Sequence, residues 1–442
     1  MEFTEFILDG GRIIDPAQAL DTVGALHIKE GRVAGFAADA AQLPDCRRYD
    51  VSGLIVCPGL IDVHVHLREP GQSHKETIET GCRAAVAGGF TSICCMPNTS
   101  PPIDNVETLE WVRHRAEAVG LCHVYVVAAI TIGRQGRELV DFAALTRAGA
   151  VAFSDDGDGI EDDDLMRRAL RDASAVDRVI MQHPEYHQIS QRGVMHLGPV
   201  SKQLNLTGYD PRGEEAMIER DISLLMPRGA RLHVQHVSTA GGVQLIREAK
   251  ARGLAITAEA SPHHLLLTDE EVPDPKGRPN PNRKMNPPLR SRSDLAAVVA
   301  GVRDGTLDCI ATDHAPHTAE EKSADFAAAP LGVVGLETAL PCAAQALLEE
   351  GLFDWPQLID RMTTSPASAL HVPGGTIATG QRADITIINP DAAWTVDPEK
   401  LRSRSKNTPF AGWTVKGRAY ATIVAGSFAY IDADAEDRFS AK

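Results

Sequence analysis

The chain has 442 residues, with 43% hydrophobic and 24% charged side chains, and 44 Lys+Arg against 60 Asp+Glu give a net charge of −16. That length suits one large catalytic domain with a smaller companion, and that hydrophobic share a full-sized core. The acidic balance argues against nucleic acid or an anionic membrane surface as a partner, but not against a small anionic ligand gripped by a few local cations. The N-terminus MEFTEFILDGG lacks the basic and apolar regions of a signal peptide, and no apolar run reaches membrane-span length. Eight scattered cysteines without CxxC spacing read as reduced core residues of a cytoplasmic protein.

Residues 1–56 read as short strands and turns: FILDGGRIID, ALHIKEGRVAGFA and YDVSGLIVCPG. The pattern returns within residues 372–442, in ADITIINP, AWTV and GWTVKGRAYATIVAGSFAYID. Between these ends, over residues 57–371, apolar runs alternate with helix-length segments. The runs are 61–66, 91–97, 123–130, 150–157, 178–185, 231–238, 254–262 and 307–317. Segments such as KETIETGCRAAVAGG, VETLEWVRHRAEAVG, DLMRRALRDASAV and EEAMIERDISLLMPRG separate them. Eight alternations predict an α/β protein with a (β/α)8 TIM-type barrel. The flanking strands are too few to make good cores alone, so they are expected to meet in one small β-sandwich domain built from both chain ends. Two stretches rich in loop formers, 268–290 and 315–332, read as long loops of the kind that often cover active sites.

The first barrel strand lies within PGLIDVHVHLR (58–68). His64 and His66 are two residues apart, which on a strand puts both imidazoles on one face. Active sites of such barrels lie at the C-terminal strand ends. The polar residues there are His64, His66 and Arg68, then Asn98, the pair Asp155-Asp156, His183, His236, and Asp313 with His314 and His317. Neutral imidazole and carboxylate suit zinc and similar borderline metals. Six such ligands exceed one tetrahedral ion and suit two ions sharing a bridging carboxylate.

The motifs HVHLREPG (64–71), MPNTSP (96–101), FSDDG (153–157), HVQHVST (233–239), NPPLR (286–290) and DHAPH (313–317), with SKNTPFAGWTVKG near the end, together resemble dihydroorotases of the bacterial class I type in the amidohydrolase superfamily. Related hydantoinases bridge their metals with a carboxylated lysine on strand 4; GAVAFSDDG holds no lysine, and Asp156 matches the aspartate that class I enzymes use, with Asp155 its neighbour. The resemblance implies that His64, His66, Asp156 and Asp313 hold one zinc ion, and Asp156, His183 and His236 a second, with a hydroxide between. It implies two zinc ions per chain, although some class I members hold one. The reaction implied is reversible closure of N-carbamoyl-L-aspartate to L-dihydroorotate in pyrimidine (UMP) biosynthesis, with Asp313 as the proton-transferring catalytic residue.

For the anionic substrate, Arg68 is a bidentate carboxylate grip, and His66, Asn98, Asn286, His317, Leu331 and Gly332 match the family's other substrate positions. His263 and His264 read as supporting residues; His187, His196 and His233 as structural ones. One departure is HPEYHQIS after strand 5, where many relatives carry Cys-Glu-Asp behind the histidine. Two rival functions use the same fold: another cyclic amidohydrolase (an allantoinase or hydantoinase), and an inactive scaffold for aspartate transcarbamoylase. A homodimer and a working complex with aspartate transcarbamoylase, whose contact would order 315–332, remain open partners beside the small-molecule substrate.

Overall fold

The structure, a computed structural model, describes residues 5–225, 229–348, 351 and 353–439. Residues 226–228, at the end of the helix-length segment EEAMIERDISLLMPRG, lie outside the described residues, as do 1–4 of the N-terminal stretch. The eight expected apolar runs form eight parallel strands: Leu60–Val65, Phe90–Cys95, His123–Ala128, Ala150–Phe153, Val179–Gln182, Leu232–Val234, Ile256–Ala260 and Cys309–Ile310. Their order in the sheet is their order in the chain. The first strand is buried throughout, as expected where helices cover one face of a parallel sheet and a filled interior the other. The ring closes where the His66 N–H donates to the His314 carbonyl at 2.9 Å. Closure therefore brings the first strand's histidines directly against Asp313.

Local signals set the helices. Thr77 and Thr80 form a capping box at the start of Ile78–Ala87. Asn105, Asp162 and Ser291 cap Val106–Val119, Asp163–Ala175 and Arg292–Asp304. Gly120 and Gly305 end the first and last of these three in the left-handed conformation that glycine adopts without strain. The 315–332 loop is less irregular than its composition predicts, since Thr318 caps a single helical turn at Ala319–Lys322. Stretch 268–290 contains only two short 3-10 turns, Asp269–Glu271 and Pro281–Arg283.

Both chain ends enter one eight-stranded sheet, in which Ile385–Thr395 pairs antiparallel with Ile55–Pro58. The sheet folds over on itself. Ser427–Ile431 and Phe6–Asp15 are four steps apart in strand order, yet the Phe6 and Phe428 rings lie 5.5 Å apart. Leu8, Ile13, Leu26, Ile28, Ile385, Ile387 and Ile423 fill the space between the two layers. Hydroxyls stitch this unit to the barrel: Thr422 Oγ1 donates to the Val86 carbonyl at 2.6 Å and Thr386 Oγ1 to that of Gly89 at 2.6 Å. All eight cysteines are free, and among the described residues no helix is long and apolar enough to cross a membrane.

Gly59 is the hinge between the two units, between Ile55–Pro58 and Leu60–Val65. A Cβ there would sit 2.1 Å from Thr91 Oγ1 and 2.6 Å from Thr91 Cβ. Gly59→Ala is expected to destabilise the protein by about 1–3 kcal/mol through overpacking, read as a lower urea midpoint at unchanged slope. An unchanged midpoint would mean that this junction is not packed as described.

Candidate active site

Seven barrel strands bring their C-terminal ends to one buried cluster. His64 is aimed by Glu259 from the seventh strand, with Nδ1 2.6 Å from Oε1. Glu259 also lies 3.0 Å from His233 Nε2 and accepts the His236 N–H at 3.2 Å. Burial would raise the Glu259 carboxyl, but His64 and His233 hold it far below the usual carboxylate range. With Nδ1 committed, His64 presents Nε2 inward, 3.2 Å from Asp156 Oδ1 and 3.5 Å from Asp313 Oδ1. That nitrogen is buried and makes no hydrogen bond of proper geometry. His66 Nε2 lies 3.0 Å from Asp313 Oδ1, and His66 Nδ1 2.7 Å from Asn98 Oδ1. The donor atoms of His64, His66 and Asp313 all lie within 4.8 Å of one another, as do those of His64, Asp156 and His236. These are sites with the nitrogen and oxygen donors that a borderline dication prefers.

The two adjacent aspartates have different tasks. Asp155 turns back to the third strand, accepting the N–H groups of Ile130 at 2.8 Å and Thr131 at 3.1 Å as well as the Thr131 hydroxyl. Burial pushes its carboxyl up to about 6. Asp156 faces the cluster, and its Oδ2 accepts from Asn98 Nδ2 at 2.9 Å. Burial would raise Asp156 too, but the imidazoles of His64, His66 and His183 hold it well below its ordinary value.

His183 and His236 stand on the other side of Asp156. His183 Nδ1 lies 2.9 Å from His236 Nε2, and the two nitrogens are 4.0 and 3.9 Å from Asp156 Oδ1. Burial, then the neighbouring His183 and His64, keeps His236 neutral, which is the metal-binding form of imidazole. Glu185 fixes the far side of His183, with Nε2 3.2 Å from Oε2, and accepts from Ser190 Oγ at 2.5 Å and Asn286 Nδ2 at 2.9 Å. Against the effect of burial, these contacts bring its carboxyl down to about 2. Asn286 thus joins the cluster, whereas His264 lies 3.0 Å from the Pro287 carbonyl through Nε2 and packs against His263, with ring centroids 4.3 Å apart and the rings tilted by 59°.

The opposite wall is cationic. Arg68 is only 7% exposed, and among the described residues no carboxylate lies within ion-pair distance of it. Its Nε donates to the Pro316 carbonyl at 3.2 Å and its Nη2 lies 3.4 Å from His317 Nε2. Burial lowers the guanidinium to about 10, still charged at neutral pH. His317 Nε2 also lies 2.8 Å from the Leu331 carbonyl. Gly332 adopts φ +129°, where a Cβ would meet Ala315 Cβ at 2.6 Å. Its N–H donates to the Lys284 carbonyl at 3.0 Å. Asn407, from the C-terminal segment, donates to the Ala315 and Gly332 carbonyls, both at 3.1 Å, and accepts the His317 N–H at 3.1 Å.

Sequence reasoning missed Glu185, Glu259 and Asn407. Glu185 had a signal, lying two residues beyond His183 in HPE. Asn407 lies in the motif SKNTPF, which the resemblance includes without giving it a role, and Glu259 had no signal, since only the barrel's closure brings it to the mouth.

A family profile described as dihydro-orotase-like matches residues 53–241, and one described as amidohydrolase family matches residues 216–430. The dihydroorotase of Syntrophus aciditrophicus is 47% identical over 427 residues, covering 96% of this chain and 99% of that protein. That of Anaeromyxobacter sp. (strain K) is 47% identical over 429 residues, covering 97% and 98%. Among solved structures, the L-hydantoinase of Arthrobacter aurescens superimposes with a TM-score of 0.83 at 25% identity, over 96% of each chain. With near-half identity along almost its whole length, and the cluster these strands assemble, the chain belongs to the dihydroorotase family of cyclic amide hydrolases.

Proposed function

We propose that this chain is a zinc-dependent enzyme of the cytoplasm that interconverts N-carbamoyl-L-aspartate and L-dihydroorotate in UMP biosynthesis. The observation that carries the substrate assignment is Arg68, a buried guanidinium without a carboxylate partner, beside a cluster of imidazoles and carboxylates. Leaving such a cation unpaired inside a protein is costly unless a ligand anion completes it. Dihydroorotate carries a carboxylate where hydantoin and dihydrouracil carry none. This favours dihydroorotate over the hydantoinase alternative, despite the shared fold.

His64, His66, Asp156 and Asp313 would hold one zinc ion, and Asp156, His183 and His236 a second. The orphaned His64 Nε2 and the converging donor atoms fit that group. Bound zinc would polarise the ring carbonyl and make water a better nucleophile. The protein's own part is to move protons and hold groups still. Asp313 takes a proton from the attacking water and returns it to the departing ring nitrogen, with the reverse order in ring closure. Arg68 holds the substrate carboxylate; Asn98, Asn286, His317, Leu331 and Gly332 border the ring. Glu259 and Glu185 orient His64 and His183, as carboxylates behind ligand histidines commonly do. The division that goes with this proposal is 57–371 for the barrel, with 1–56 and 372–442 as the companion unit. The family resemblance extends it to a homodimer and to a complex with aspartate transcarbamoylase.

Protein purified without chelator is expected to carry two zinc ions per chain and to hydrolyse dihydroorotate, with chelation abolishing activity and zinc restoring it. Asp156→Asn should lower the metal content measured by elemental analysis; full occupancy in that variant would remove Asp156 from the ligand set.

Arg68→Met should cut kcat/KM for dihydroorotate by about 10- to 150-fold, the worth of a charged hydrogen bond of about 1.5–3 kcal/mol. Any turnover of dihydrouracil should change little. Equal losses on both substrates would assign Arg68 to the fold instead.

Burial, then Arg68, Lys75 and Lys322, lowers His317 to about 3. A histidine whose folded pKa is depressed contributes stability that is complete above its unfolded value and lost as pH falls below about 6.5. Between about pH 7.5 and about pH 5 the parent should therefore lose about 1–2 kcal/mol more stability than His317→Gln. Parallel pH curves in urea unfolding would contradict the burial of a neutral His317.

A further inference from the structure

Two lysines on the long loops are buried without a carboxylate at bonding distance. Lys284, on the 268–290 stretch, is 3% exposed; Lys322, on the 315–332 stretch, is 6% exposed. An ammonium carries three donors and no acceptor. Lys322 Nζ spends all three on backbone carbonyls: Pro281 at 2.9 Å, Lys284 at 3.1 Å and Pro330 at 2.9 Å. Lys284 Nζ donates to the carbonyls of Ala327 at 2.9 Å and Ala329 at 2.5 Å, and lies 5.6 Å from the Phe326 ring centroid. Each lysine thus reaches across from its own loop to the other, and Lys322 also ties back to Pro330 within its own. The Lys284 carbonyl accepts from Lys322 and from the Gly332 N–H, so one peptide group links both ammonium anchors to Gly332. Lys284 also lies two residues before Asn286.

We propose that Lys284 and Lys322 are positioning residues for the reaction, an ammonium clasp that locks the two loops together and thereby holds Gly332, Leu331 and His317 over the mouth of the barrel. The substrate roles of those three residues rest on the function proposed above. Charged groups near the clasp are few. Asp325 acts on Lys284, and Glu321 on Lys322, but Glu321 is itself drawn to Lys75 at 3.1 Å on the outer rim. Burial lowers Lys322 to about 7 and Lys284 to about 8, which reflects the penalty of taking these cations from water. A buried ammonium that gives two donors to carbonyls of a facing loop is a directional device. An apolar side chain of equal length fills the same space but withdraws the donors that tie those carbonyls to the facing loop.

The test uses the full-length, zinc-loaded protein and the variants Lys322→Met, Lys284→Met and Lys322→Arg. Amide hydrogen exchange, zinc content and dihydroorotate kinetics are measured on each. In both methionine variants, exchange across 315–332 is expected to quicken at least tenfold while the barrel strands and zinc content stay as in the parent. KM for dihydroorotate should rise at least tenfold with a smaller change in kcat, and Lys322→Arg should recover part of both effects. Should Lys322→Met exchange fast throughout the barrel, Lys284→Met carries the same test, because it keeps Lys322 and its three acceptors. Parent-like exchange in the loop overturns the clasp. Faster loop exchange with unchanged KM overturns the positioning role. Failure of the parent itself to turn over dihydroorotate strikes at the proposed function instead, and the exchange data still decide the clasp.

Discussion

Burying Asp156 among imidazoles is the constraint on which the rest of this structure depends. The side chain is 3% exposed, and an isolated carboxylate there would protonate rather than remain charged. It stays ionised because His64, His66 and His183 surround it, and they stay in place because Glu259, Asn98 and Glu185 hold their respective far sides. Each layer therefore exists to support the one inside it. Glu259 orients His64 and is itself anchored by His233; Glu185 orients His183 and is anchored by Ser190 and Asn286. The barrel suits this because eight short strands deliver these groups from a rigid wall, where loops alone would leave them mobile. Part of the arrangement is held against local preference. Arg68, His236 and Asp313 have φ of +61°, +33° and +47°, a region most residues avoid. Such strain persists only where surrounding structure over-determines it, and here all three residues follow barrel strands at the mouth.

Much of this was legible in the sequence for a simple reason. Buried parallel strands need continuous apolar runs, so the eight runs announced the barrel, and a period of two put His64 and His66 on one face. Polar residues interrupting those runs at one end had few structural excuses. The choice between Asp155 and Asp156 was legible only through the family resemblance, which favours Asp156, and not in the residues themselves. Both follow the same strand, and only the third strand's free N–H groups at Ile130 and Thr131, which claim Asp155, separate them. Glu259 sits inside an ordinary strand run, and nothing local distinguishes it from a polar residue at a sheet edge. Glu185 is visible in HPE two residues beyond His183, although its neighbours differ from the pattern of many relatives.

The companion sheet does more than cover the barrel's flank. Its connecting segment sends Ser403 and the Arg404 N–H to Glu76, which also faces His314, the residue after Asp313. Asn407 then ties together the backbone at Ala315, His317 and Gly332. The residues that carry these contacts lie some 90 positions beyond Asp313 in the chain. Their effect on the mouth explains why the motif SKNTPF, which holds no titratable group able to catalyse, accompanies the catalytic motifs.

The mouth is thus held by two different kinds of bond. On its inner edge an amide, Asn407, uses both donor and acceptor to fix the backbone at Ala315, His317 and Gly332. On its outer edge the loops have no ladder, and two lysines donate across them, in part to carbonyls that also accept a backbone N–H, as those of Pro281 and Lys284 do. A neutral side chain would satisfy one or two such carbonyls; an ammonium satisfies three, from segments that no regular pairing joins.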